Sequence, residues 1–219
     1  MKTVVLDLET IPDESWTPPV DEPDKFSPIP HHIPVVISYM VNGKLEEPYV
    51  RSADANAEKV FLEVLGAALS TADRIVTWNG RGFDMPLLNL RAMLHHADWK
   101  FWPGKRHRFG NYKQDLVHYD MMDLIADQGY VKMKLNDVCR LLRIPGKDDI
   151  DGSQVKRVWA EKGGPQRVKQ YCEEDVVRTY LVYLRYVETM TNAPSDKARQ
   201  LTEAVAKMAG ERFGGEWAK

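Results

Sequence analysis

Stretches of alternating or continuous apolar residues are separated along the chain by stretches with helical spacing. Thr3 to Leu8 (TVVLDL) is β-branched and apolar, and predicts a buried strand. Pro12 to Pro34 holds seven of the thirteen prolines. Proline fixes φ and removes a donor, so this segment reads as a long irregular loop. His31-His32 within it read as part of a floppy segment rather than a lid. Val35 to Val41 predicts a second strand, Asn42-Gly43 the positive-φ pair of a tight hairpin turn, and Lys44 to Val50 the returning third strand. Asp54 to Leu69 sets Val60, Phe61, Val64, Leu65 and Ala68 at helical spacing, with Asp54 as N-cap. Arg74 to Trp78 predicts a fourth strand, and Asp84 to Leu94 a helix with Leu87, Leu88, Arg91 and Leu94 a turn apart.

The second half is richer in helices. A short strand is expected near Leu116 to Tyr119, then a helix from Asp120, with Asp120 and Asp123 as caps and dipole partners. Leu135 to Leu142 follows, closed by Ile144-Pro145-Gly146, with Ser153 capping the next helix. Arg167 to Met190 is a long apolar-periodic helix, and Ser195 to Arg212 a last amphipathic one. The order predicts an α/β fold. Its mixed sheet starts with three N-terminal strands including a hairpin, continues with alternating helices and strands, and is flanked by helices. The expected division is a domain over 1–190 and a C-terminal helical extension over 191–219.

Composition narrows this little. With 219 residues, 43% apolar and 28% charged, the chain suits one globular domain with a small appendage. Cys139 and Cys172 form no CxxC or Cys/His cluster, which argues against a disulfide framework and a zinc site and for reduced thiols. The apolar run after Met1 is too short for a signal-peptide core, and Val35 to Val41 is far short of a membrane span. The expectation is a cytoplasmic protein with no membrane partner.

Thirty Lys and Arg against 32 Asp and Glu exclude a uniformly basic nucleic-acid coat, but net charge averages over faces. Arg91 to Lys113 carries six Lys or Arg against one acid, with Trp99, Phe101, Trp102, Phe109 and Tyr112 interleaved. Such a strip suits a single-stranded backbone, with Lys105, Arg106 and Arg108 as its centre. A solvated loop with a local aromatic core fits equally well.

Three acidic elements carry the chemistry. Side chains alternate along a strand, so Asp7 and Glu9 share a face on which burial calls for apolar residues. Two carboxylates there repel unless a cation lies between them. Asp84 follows a strand and the loop Asn79-Gly80-Arg81-Gly82, where an ordinary N-cap is the plain alternative. Tyr171 and Asp175 lie four apart, on one face of a helix whose neighbours Val176, Val177, Tyr180, Leu181 and Leu184 mark it as packed. Glu173 and Glu174 flank Asp175, and Asp148, Asp149 and Asp151 read as a solvated turn.

Taken in order, D-x-E, N-x-x-x-F-D and Y-x-x-x-D resemble the three exonuclease motifs of the DEDD superfamily. Gln170 stands where the histidine subtype needs His, so the resemblance is to the tyrosine subtype, DEDDy. The phrases DLETIPD, VTWNGRGFDMPLL, PGK, DGS and YCEEDVVRTYLVYLR resemble the bacterial stand-alone group related to the exonuclease domain of family B DNA polymerases, over about residues 3–190.

That resemblance implies a ribonuclease H-like fold and a two-metal 3′–5′ exonuclease acting on single-stranded DNA 3′ ends. Asp7, Glu9, Asp84 and Asp175 would bind two Mg²⁺ or Mn²⁺, since all-oxygen ligands favour these ions over zinc. In that scheme Asp7 touches both ions, Glu9 and Asp175 hold the one that binds the nucleophilic water, and Asp84 holds the leaving-group ion. Tyr171 orients the attacking water. Asn79 and Phe83 support the second motif or touch the terminal nucleotide, and Ile11 packs against its base. An exoribonuclease of the same fold and a non-catalytic nucleic-acid-binding module are the alternatives.

Overall fold

In a computed structural model, which describes residues 1–22, 25–100, 117–127, 131–146, 150, 152–190 and 195–218, the sheet is built around β1 (Thr3–Pro12). β1 pairs antiparallel with β2 (His32–Val41) and parallel with β5 (Arg74–Thr77), and β5 pairs parallel with β6 (His118–Asp120). On the other side of β2 lie two short strands, β3 (Lys44–Leu45) and β4 (Tyr49–Val50). The expected third strand is thus two pieces, both paired to β2. Asn42 and Gly43 have φ of 51° and 88°, the mirror-image turn that their sequence predicts.

β2 begins three residues before the apolar run suggests. Glu9 lies opposite Val36 and Thr10 opposite Pro34, so Val35 is an extra residue on β2. Proline cannot donate to a ladder, and it is tolerated in this strand at a bulge. His32 therefore belongs to the sheet rather than to a floppy loop, and is buried. Its Nδ1 meets Thr10 Oγ1 at 2.7 Å and its Nε2 meets Ser27 Oγ at 2.6 Å. Burial holds its imidazole below the usual range.

The two faces of β1 build two cores. Val4, Leu6 and Leu8 pack with Leu62, Leu65 and Leu69 of α1 (Ala57–Ser70) and with Leu87 and Leu88 of α2 (Asp84–Leu94). In α1, Val60 and Val64 are exposed at 56% and 52%, so the buried stripe lies to one side of the expected one. Asp54 does not cap this helix. It accepts the Asn56 N–H at 2.9 Å, one turn earlier.

On the opposite face, Val5 meets Val176, Val177 and Tyr180 of a long helix. Among the described residues, three short helices lie between β6 and it: α3 (Met121–Ile125), α4 (Leu135–Leu141) and α5 (Val155–Trp159). Ser153 lies in the 3-10 turn that leads into α5, where Gln154 is the N-cap residue. The long helix, α6 (Gly164–Met190), is buried at every position from Val176 to Leu184. A helix apolar on all sides must be covered on all sides. The sheet covers one side, and α7 (Ser195–Phe213) brings Val205 and Ala209 into the same core. A short 3-10 turn, Gly215–Ala218, follows α7. Among the described residues no helix is long and apolar enough to cross a membrane. Cys139 and Cys172 are buried and unbridged.

Candidate active site

The carboxyl ends of the parallel strands β1, β5 and β6 converge on one edge of the sheet, where open α/β sheets place ligands. The face of β1 that carries Val5 continues two residues on as Asp7 and four residues on as Glu9. Across from it, the face of α6 that carries Val176 begins one turn earlier with Tyr171, Cys172 and Asp175. The packing contact that seats α6 on β1 thus also brings the acids together. One ligand oxygen from each of Asp7, Glu9 and Asp175 lies within 4.8 Å of the others. Glu9 and Asp175 are buried, Asp7 is partly exposed, and Tyr171 is buried in a cluster with Val35, Val36 and Cys172.

The donor set is all carboxylate. Hard oxygen ligands at this spacing fit Mg²⁺ or Mn²⁺ better than zinc, which favours Cys and His. Carboxylates this close repel one another unless positive charge lies among them.

Asp84 stands apart from that group. β5 stops at Thr77 while β1 runs on, and the Asp84 carboxylate takes a backbone hydrogen bond from Leu8 in the stretch of β1 beyond their pairing. It is the first residue of α2 rather than its N-cap, a position held by Phe83. Burial, and then the charge of Asp120, push its carboxyl up to about 7.

Asp120 does more than cap α3. Its Oδ1 accepts the Asn79 N–H and its Oδ2 the Arg81 N–H, both at 2.9 Å. Asn79 has φ of 61°, and a Cβ at Gly80 would fall 2.4 Å from Thr77 Oγ1, so this tight loop needs glycine there. Asp120, at the end of β6, therefore fixes the loop that delivers Asp84. Sequence reasoning missed this role, because the partners are 39 and 41 residues away.

The remaining expected residues divide. Phe83 meets the His32 ring edge-on at 5.0 Å and Phe26 at 5.8 Å, and Phe26 is 70% exposed. Ile11 is partly buried against the cluster that holds Tyr171. Asn79 is placed by its own backbone, as above. Lys105, Arg106 and Arg108 lie outside the described residues, as do Asp148, Asp149 and Asp151. At the start of the basic segment, Arg91 is committed to buried Glu58 through Nε and Nη2, each at 2.6 Å, rather than to a cationic strip. Trp99 donates to Asn89 Oδ1 at 2.9 Å and packs over Gly66 as part of a core.

Arg178, the largest fully buried side chain among the described residues, was not singled out from the sequence. It is 1% exposed, one turn beyond Asp175. Its Nη1 donates to Asp175 Oδ1 at 3.0 Å and its Nη2 to Glu174 Oε2 at 2.6 Å. Nε and Nη2 also reach the Pro145 and Gly146 carbonyls at 3.0 and 2.8 Å. The available signals were the acid–base pairs at i, i+3 with Asp175 and at i, i+4 with Glu174. Glu173 is buried too, and takes a bidentate pair from Arg212 of α7.

Comparison with known proteins agrees with this architecture. The family B DNA polymerase from the hyperthermophilic archaeon Pyrobaculum calidifontis superposes with a TM-score of 0.59 at 17% identity, over 97% of this chain. The chain spans 29% of that polymerase's length. At such identity the likeness shows the fold, and it is the ribonuclease H-like fold of the polymerase's exonuclease domain. A family model described as "Predicted 3'-5' exonuclease related to the exonuclease domain of PolB" matches residues 24–217. The match runs through α7 and starts after Asp7 and Glu9, which the fold joins to Asp175. With nearly nine-tenths of its length matched, the chain belongs to this family of predicted 3′–5′ exonucleases related to the exonuclease domain of PolB.

Proposed function

We propose that this protein is a metal-dependent 3′–5′ exonuclease that removes nucleotides from single-stranded DNA ends by a two-metal mechanism. The observation that carries the reading is the Asp7, Glu9 and Asp175 oxygen group within 4.8 Å, with Tyr171 one turn before Asp175 on α6. Asp7, Glu9 and Asp175 would hold one divalent cation, and Asp7 with Asp84 would hold the other. Bound divalent cations supply stabilisation of the charge on the attacking and leaving oxygens. Tyr171 orients the attacking water. A phenol with pKa near ~10 is a weak base at neutral pH, so its part is positioning. Asn79 and Phe83 support the second motif and the terminal nucleotide, and Ile11 its base. Lys105, Arg106 and Arg108 follow the phosphates upstream. The polymerase neighbour supports DNA as the polymer, and two unbridged thiols support a cytoplasmic location.

The test is digestion of 5′-labelled single-stranded DNA and RNA with Mg²⁺, Mn²⁺ or EDTA. A stepwise DNA ladder that disappears in EDTA, and in Asp7→Asn or Asp175→Asn, is expected. Preferential loss of RNA identifies an exoribonuclease instead. Intact polymers with folded, metal-loaded wild type identify a binding module.

A further inference from the structure

A fully buried arginine needs complete compensation, because an uncompensated charge in the interior is strongly destabilising. Arg178 is compensated from three directions. Two carboxylates of its own helix, Glu174 and Asp175, lie on one side, and the carbonyls of Pro145 and Gly146 after α4 lie on another. The ring of Trp217 covers the guanidinium, 5.3 Å from its centre. Trp217 comes from the 3-10 turn at the end of the chain, beyond every element that supplies an acid to the site. The same C-terminal segment grips α6 two residues before Asp175, where Arg212 pairs with Glu173.

We propose that Arg178 is a positioning residue for the Asp175 carboxylate, held in place by Trp217. The C-terminal turn then tunes divalent-cation affinity without contributing a ligand. The proposal rests on the reading of Asp7, Glu9 and Asp175 as a cation site. A free aspartate samples rotamers that turn its oxygens away from Asp7 and Glu9. One arm of the guanidinium, Nη1, occupies Oδ1 and restricts the rotamers open to the carboxylate, as hydrogen-bonding partners of metal-ligating carboxylates do. The charge of Arg178 works the other way, because it opposes a cation nearby. Orientation and charge therefore predict opposite signs for a neutral substitution.

Calorimetric titration of the full chain with Mn²⁺ separates them, with melting temperature in EDTA as a companion measurement. Arg178→Met and Arg178→Lys are both expected to weaken Mn²⁺ binding about 10–100-fold. Trp217→Ala is expected to weaken it about tenfold, and Trp217→Phe, which keeps an aromatic face, to restore it to within about twofold. Trp217 sits on the terminal turn, so its variants remain informative if the Arg178 variants do not fold. Wild-type affinity in Trp217→Ala and in any folded Arg178 variant overturns the proposal, as does tighter binding by Arg178→Met. A wild-type protein that binds no Mn²⁺ overturns the cation-site reading as well. Wild-type binding with unaltered variants removes the Arg178 role alone.

Discussion

The Cys172 thiol donates to the carbonyl oxygen of Asp7 at 3.4 Å and reaches its carboxylate Oδ2 at 3.7 Å. Cys172 is one residue past Tyr171 on α6, so sulfur forms the floor on which the first acid of the site rests. Burial, and then the charges of Asp7 and Glu9, push the thiol well above its usual range.

A thiol so placed is inert. Ellman's reagent is expected to find no fast-reacting group in the native protein and two after denaturation, since Cys139 is buried too. A rapid native reaction at Cys172 would contradict the packing of α6 against β1.

Tyr171 is not one of the carboxylates assigned to the cations, so its loss separates positioning from cation binding. Tyr171→Phe is expected to lower the cleavage rate about 100-fold while leaving the Mn²⁺ dissociation constant unchanged. Single-turnover rates and calorimetry measure the two quantities. A rate equal to wild type removes Tyr171 from the reaction.

Asp84 makes the metal-free protein sensitive to pH. Its folded carboxyl is raised to about 7 from an ordinary 3.8. The ionised form is therefore disfavoured in the fold. The penalty is absent below the unfolded value, grows as pH rises, and is fully present above about 7. Asp84→Asn is expected to stabilise the metal-free protein at pH 8 by about 4 kcal/mol and to have little effect at pH 4. Melting curves in EDTA across that range measure it. Parallel pH profiles for wild type and variant count against the buried carboxylate. Activity should fall in the same variant, a trade of function for stability.

Asp120 tests whether the second motif depends on a remote support. Asp120→Ala leaves the Asn79 and Arg81 N–H groups without their carboxylate, which is expected to destabilise the protein by about 2–3 kcal/mol. Denaturant unfolding gives the loss, and hydrogen exchange should speed at Asn79 and Arg81 first. Protection that stays at wild-type levels there shows another anchor for the loop.

The sequence made legible what is local. Asp7 and Glu9 share a face because a strand has period two, and Tyr171 and Asp175 share one because a helix turns every 3.6 residues. Both relations survive in the fold. A mixed α/β sheet also followed from element order, and its ribonuclease H-like character from the family resemblance. What the sequence hid depends on remote neighbours. Val60 and Val64 fit the helical period of α1 as well as Leu62 and Leu65 do, and the sheet decides which stripe is buried. His32 lay among prolines that read as a loop, and only the bulge at Val35 explains how Pro34 stays in a strand. Arg178 looked like any helix cation until the carbonyls after α4 and the ring of Trp217 closed around it.

The alternation of β1 has a consequence for how this chain can change. Leu6 and Leu8 face one core, and Asp7 and Glu9 face the acid group. Inserting or deleting one residue before Asp7 would exchange the two sets and drive two carboxylates in among Leu62, Leu65 and Leu87. Fold and candidate chemistry would fail in the same step. The first strand can drift by substitution, but length changes are closed to it until the bulge, where Val35 already absorbs one extra residue.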